Sequence, residues 1–172
     1  MTHRSPEENP SPRIAVMAGS FNPFTVGHLS VLTRGLKIFS RIIILIGRNA
    51  SKPAEAEAAA TRADELRRLL APLAPQVDVR LCSGLVAREA ADAGATALLR
   101  GVRSVADYEY ERNMADINRL ISGLETVLLF AEPAHAAISS SIVRELSSYG
   151  VDVSAMLPSA TDIQQTKKHI SE

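Results

Sequence analysis

Between Met17 and Gly35 the chain reads MAGSFNPFTVGHLSVLTRG. Gly19, Ser20, Thr25, Gly27 and His28 fall within ten residues, between an apolar β-type run, Ile14 to Met17, and a segment with helical periodicity. A helix start carries unpaired amides and the positive end of the macrodipole, so this joint suits an anion. Gly19 lets the backbone pass close to a ligand, and Ser20 adds a hydroxyl and an amide. Thr25 is placed to cap the helix, and an imidazole in its first turn can donate to a phosphate oxygen, neutral or protonated. Strand-turn-helix joints also occur without ligands, and a single histidine near a helix start is usually just exposed. Two phosphate loops are excluded. The dinucleotide fingerprint needs glycines where Phe21 and Phe24 stand, and no lysine supplies a P-loop.

The elements that must hold this joint alternate along the chain. Residues 13–18 read as a strand and 27–39 as a helix with Leu29, Leu32, Leu36 and Phe39 on one face. The run RIIILIG, 41–47, is the pattern of a strand covered on both faces of a parallel sheet. Residues 48–60 read as a loop ending in AEAEAAA, and Thr61 to Asp64 as a capping box opening a helix to about Leu70. Then come a strand at Val77–Leu81, a helix at 85–93 closed by Gly94, and a strand at Ala97–Leu99. A longer helix near 105–121, a strand at Thr126–Phe130, a helix at Ser139–Ser147 and a last one near 159–169 complete the chain. No hairpin joins two strands. The expectation is an α/β fold, a doubly wound parallel sheet in a single domain, with ligands beyond the carboxyl ends of its strands.

The 172 residues suit one domain, and 46% apolar with 22% charged residues marks a globular chain. Lysine plus arginine equals aspartate plus glutamate, 19 each, so no net field draws in a nucleic-acid backbone. One cysteine, Cys82, excludes an internal disulfide and a multi-cysteine metal site, and reads as a small hydrophobe at a strand end. Residues 1–12 are polar with three prolines and read as a disordered tail before a domain at 13–172. They lack the apolar stretch of a secretion signal, and no run is long enough to span a membrane, so a cytoplasmic protein is expected.

The string G-S-F-N-P-F-T-V-G-H resembles the [ST]-x-G-H signature of the nucleotidyltransferases, and Ile138-Ser139-Ser140-Ser141-Ile142-Val143-Arg144 resembles their second, serine-rich one. Between them, R-G-V-R-S-V-A-D-Y-E-Y-E, Arg100 to Glu111, is similar to a segment of the bacterial phosphopantetheine adenylyltransferase family. The likeness runs from about Arg13 to Pro158. It implies a Rossmann-like nucleotidyltransferase fold and attack of 4′-phosphopantetheine on the α-phosphate of ATP, giving dephospho-coenzyme A and pyrophosphate without a covalent enzyme intermediate. The nucleophile is then a phosphate of the substrate, and catalysis is positioning and electrostatics.

By this resemblance His28, Lys52 and Arg103 are catalytic. ATP falls to Ser20, Phe21, His28, Gly101, Val102, Arg103, Glu111 and the run His135, Ala136, Ala137, Ile138, Ser139, Ser140, Ser141. The second substrate falls to Ser20, Lys52, Val86 and Arg100, with Leu85 beside the pantetheine arm. Read without the family, Lys52 is a surface lysine, Arg100 and Arg103 are salt-bridge partners, Glu111 is a helix-face charge, and the serines are a helix cap. Magnesium is expected on the substrate phosphates, since no residue cluster has the spacing of a protein metal cage. The family also implies a homohexamer and coenzyme A as inhibitor.

Three departures stand out. Asn22 replaces the family's usual aspartate. The stretch after Lys52 is alanine-rich and somewhat longer. His135-Ala136-Ala137 lacks the aromatics that usually precede the serines, which predicts a raised ATP KM rather than a lost kcat. Two other readings remain open: a same-fold enzyme with another acceptor, such as nicotinamide mononucleotide or glycerol phosphate, and a non-catalytic nucleotide or coenzyme A sensor.

Overall fold

The computed structural model describes residues 12–48 and 51–171. Five strands, β1 (Ile14–Gly19), β2 (Arg41–Gly47), β3 (Val77–Cys82), β4 (Ala97–Val102) and β5 (Glu125–Phe130), form one sheet in the order β3-β2-β1-β4-β5. Every pairing is parallel. The chain builds outward from β1 to β3, then returns to lay β4 on the other side of β1. Strand order therefore reverses between β1 and β4, where such sheets bind ligands. Register sharpens the point. β1 stays on β2 through Gly19↔Ile46, but its pairing with β4 covers only Ala15↔Ala97 and Val16↔Leu98. Their carboxyl ends part into a crevice.

The two covered faces explain the β2 run. Ile42, Ile44 and Ile46 enter one core with α1 (Val26–Gly35), α2 (Pro53–Leu70) and α6 (Ala160–Ser171). Ile43 and Leu45 enter a second core with Ala90 of α3 (Val86–Asp92) and Leu124, which follows α4 (Val105–Ser122). Gly35 is forced by close approach: a Cβ there would sit 2.5 Å from Leu99 Cδ2 and 2.8 Å from Ile42 Cδ1. By contrast α4 buries only Glu111 and exposes Val105, Tyr110, Ile117 and Leu120. Helix α5 (Ser140–Ser148) begins beside the crevice. Among the described residues, no helix is long and apolar enough to cross a membrane.

Several expected boundaries differ. Most of the expected 48–60 loop is helix: α2 starts at Pro53, whose fixed φ suits a first helical position, and Ala and Glu then propagate it. Thr61 opens nothing; its hydroxyl donates to Glu57 O, 3.2 Å, inside the continuing helix. Helix α1 ends at Gly35, not at 39, with Phe39 folding back in the turn. Strand β4 runs on through Arg100 and Gly101 to Val102 because β5 pairs along its full length. Two short 3-10 turns, Ala71–Leu73 and Ser154–Met156, stand where no element was expected. The expected tail, apart from Pro12, lies outside the described residues, as do 49 and 50 of the expected loop.

Candidate active site

His28 is the third residue of α1, and Thr25 is the N-cap. Each caps the other: His28 N donates to Thr25 Oγ1 at 3.4 Å, and Thr25 N donates to His28 Nδ1 at 2.9 Å. Thr25 Oγ1 also lies 2.9 Å from Nδ1. An amide N–H can only donate, so Nδ1 is the acceptor and the ring proton sits on Nε2. The ring stacks on Phe24, centroids 5.4 Å apart, and meets Phe21 edge-on at 5.2 Å. Phe21 has φ 45°, a left-handed conformation costing about 1–2 kcal/mol, and its buried ring offsets that strain. Burial first, then the charges of Arg103 and Arg100, lower the His28 pKa from 6.5 to about 4. At neutral pH His28 is an uncharged Nε2–H donor. It suits charge stabilisation rather than proton exchange.

Both arginines are held from α4. Arg100 Nε lies 2.9 Å from each Glu111 oxygen, and its Nη2 lies 2.6 Å from Oε1. Its Nη1 donates to Ala18 O, which ties β4 to β1 across the gap where their pairing stops. Arg103 Nε donates to Asp107 Oδ2 at 3.1 Å, and Asp107 N is capped by Ser104 Oγ at 3.1 Å. Gly101 sits between them because its backbone lies against α1: a Cβ would come within 2.8 Å of Val31 Cγ2. Opposite, Ser139 caps α5 by accepting from Ile142 N at 3.2 Å. Ser140 Oγ donates to Pro23 O at 2.8 Å. Arg144 donates through Nη1 to Asn22 O and through Nη2 to Ser141 Oγ, so α5 is fastened to the turn before α1.

These parts enclose a cleft of about 270 Å³. Of the expected site residues, His28, Gly101, Val102, Arg103, Glu111, His135, Ile138, Ser139, Ser140 and Ser141 line it. A wider depression of about 700 Å³ holds Ser20 and Val86 with Arg48, Arg62, Cys82 and Gly84. Phe21 lies under His28, and Arg100 stands at the seam between Ala18 and Glu111. Like those two, Leu85, Ala136, Ala137 and Lys52 line neither space. Ala136 and Ala137 flank the first, and Lys52 stands at the N-cap position of α2 with its ammonium 2.9 Å from Glu55.

Sequence reasoning passed over Asp107, Arg62, Arg48 and the clamp made by Arg144. The four-residue spacing of Arg103 and Asp107 would have exposed the first. Arg62 donates to Ser20 O at 3.2 Å across 42 residues, and no local pattern announces such a contact.

The fold and the cleft define a nucleotide-transferring α/β domain, and a family model described as cytidylyltransferase-like matches residues 16–146. A phosphopantetheine adenylyltransferase of Porphyromonas gingivalis is 48% identical over 145 residues, 84% of this chain and 94% of its own length. One from Bacteroides thetaiotaomicron is 41% identical over 155 residues, 88% of this chain and 99% of its own. The chain therefore belongs to the phosphopantetheine adenylyltransferase family, within the cytidylyltransferase-like group. Among solved structures, a bifunctional NMN adenylyltransferase/ADP ribose pyrophosphatase from Francisella tularensis superposes with TM-score 0.59 at 14% identity. That match covers 94% of this chain and 50% of the other, and bears on the fold alone.

Proposed function

We propose that this chain transfers the adenylyl group of ATP to 4′-phosphopantetheine, releasing pyrophosphate and forming dephospho-coenzyme A. One observation carries the mechanism: a neutral imidazole, an arginine and a serine-rich helix start, drawn from stretches far apart in the chain, line one cleft at the reversal of strand order. An acceptor phosphate oxygen forms a bond to the α-phosphorus as the bond from that phosphorus to the β-bridging oxygen breaks. His28 Nε2–H and Arg103 stabilise the charge that gathers on the α-phosphate, and the first amides and hydroxyls of α5 hold the β- and γ-phosphates. Arg100, kept rigid by Glu111 and Ala18 O, receives the acceptor phosphate. Lys52 joins it on release from Glu55. Ser20 and Val86 serve the pantetheine arm.

Magnesium, when bound, neutralises the triphosphate. The two carboxylates in the cleft, Asp107 and Glu111, are engaged by arginines, which favours a metal carried on substrate phosphates and water. Coenzyme A, which shares the acceptor's arm, inhibits from the acceptor pocket. Exposed Val105, Tyr110, Ile117 and Leu120 on α4, with Phe130 at the end of β5, support a homohexamer, and the reaction is assigned to the cytoplasm. With balanced charge the chain takes no nucleic-acid partner on this reading.

The test is pyrophosphate release from ATP, magnesium ion and 4′-phosphopantetheine, run beside nicotinamide mononucleotide and glycerol phosphate. Turnover of phosphopantetheine alone is expected, with His28→Ala lowering kcat by about 10²–10³. Turnover of nicotinamide mononucleotide instead would overturn the acceptor. Nucleotide binding without turnover would overturn the enzyme in favour of a sensor.

A further inference from the structure

A separate cavity of about 400 Å³ lies between α1 and α6. One wall is a single face of α1, with Val26, Ser30, Thr33 and Arg34 at helical spacing, continued by Lys37 in the turn that follows. Facing it are Asp162, Gln165, Thr166 and His169 of α6, and the two walls touch at Thr33 Oγ1···Thr166 Oγ1, 3.1 Å. Helix pairs usually interlock apolar side chains, and here two polar stripes stand apart around a space.

Two further facts point to an occupant. Among the described residues only four buried side-chain polar atoms lack a hydrogen-bond partner, and two of them, Ser30 Oγ and His135 Nδ1, belong to residues lining this one cavity. Native proteins rarely leave such atoms unpaired, so water or a bound group is expected to reach Ser30 Oγ, and His135 Nδ1 is open to this cavity as well as to the cleft. The charges lean the same way. Arg34 and Lys37 both line the cavity, and among the described residues neither has a carboxylate within ion-pair distance. Asp162 and Glu132 also line the cavity, but neither lies within ion-pair reach of Arg34 or Lys37: Asp162 accepts from Ser159 N and Oγ at 2.7 Å each, and Glu132 lies 3.7 Å from His135.

His135 is the wall between this cavity and the nucleotide cleft, since it lines both. Arg34 adds a second link. Its Nη1 donates to Phe130 O at 2.6 Å, one residue before Ala131 of the cleft.

We infer that the cavity between α1 and α6 is a second ligand site, one that takes a small organic anion with an apolar body. Its phosphate or carboxylate oxygens lie toward Arg34 and Lys37, its body rests on Val26 and Leu29, and occupancy alters ATP affinity through His135. The last clause rests on the reading of the cleft as the ATP site; binding itself does not.

Calorimetry on the full chain, with the cleft filled by α,β-methylene-ATP and 4′-phosphopantetheine, tests it using phenyl phosphate and benzoate as probes and benzyl alcohol as the neutral control. One probe per chain is expected to bind, with the stronger of the two anions naming the headgroup. Lys37→Glu, at an exposed position, and Ser30→Leu, which fills the space, are each expected to weaken binding by about tenfold or more and to leave probe-free kcat unchanged. Should Ser30→Leu fail to fold, Lys37→Glu decides alone. In steady-state assays the probe is expected to shift the ATP KM of the wild type by about twofold or more and that of Lys37→Glu not at all. No binding to the filled enzyme, equal binding by Lys37→Glu, or equal binding of benzyl alcohol would overturn the site. Binding with an unmoved KM would overturn the coupling. If the chain binds the probe but does not turn over phosphopantetheine, the site stands and the proposed reaction falls.

Discussion

Lowering the pH should destabilise this protein through His28, by an amount the structure sets. The folded chain holds the ring at a pKa of about 4, against 6.5 for an unburied one. Between those values the unfolded state binds the extra proton and the folded state resists it. The contribution of a neutral His28 is therefore complete above pH 6.5 and is lost as pH falls toward 4. The full span corresponds to about 3 kcal/mol, of which roughly 2 kcal/mol is lost between pH 7.5 and 5.0. Urea unfolding of wild type and His28→Gln at those two pH values, at one protein concentration, isolates the ring from every other titrating group. The wild type is expected to lose about 2 kcal/mol more than the variant on acidification. A proton NMR titration of the ring checks the same number directly. An apparent pKa at or above 6.5, or identical pH dependence in the two proteins, would refute the account in which burial and two arginines keep the ring neutral.

Three further outcomes follow from the cleft. Gly101→Ala drives a methyl into Val31 and should cost about 1–3 kcal/mol and raise the ATP KM; Val31→Ala should restore both in the double variant, measured by urea unfolding and steady-state kinetics. Glu111→Gln leaves Arg100 without its counter-charge, and because that arginine is about one-third exposed the expected loss is about 2 kcal/mol, with a raised phosphopantetheine KM and a smaller change for ATP. Ala137→Phe, which returns a ring to the stretch before the serines, should lower the ATP KM by about fivefold with kcat unchanged; an unmoved KM would mean that no ring packs on the nucleotide there.

Local information carried the sheet a long way. RIIILIG can only be a strand covered twice, and the absence of hairpin turns left parallel crossovers as the way to join five strands. Thr25 and His28 share one helical turn, so their mutual cap was readable from spacing, as was Ser139 before α5. The helix at 53–60 was hidden because alanine carries no periodic pattern, and intrinsic propensity speaks only weakly. Strand β4 looked shorter than it is because Arg100 and Gly101 break an apolar run, and pairing with β5 holds them extended.

What the amino-acid order determined by itself is therefore whatever is decided within a few residues: the alternation of elements, the helix starts, and the polar groups placed at those starts. Tertiary structure alone decided which distant groups meet. Arg100 reaching Ala18, Arg144 reaching Asn22, and the polar walls of α1 and α6 parting around a cavity depend on how whole elements pack. The tautomer follows from a local cap, but the neutrality of His28 belongs to this second group, since it needs the burial and the two cationic neighbours that only the assembled sheet supplies.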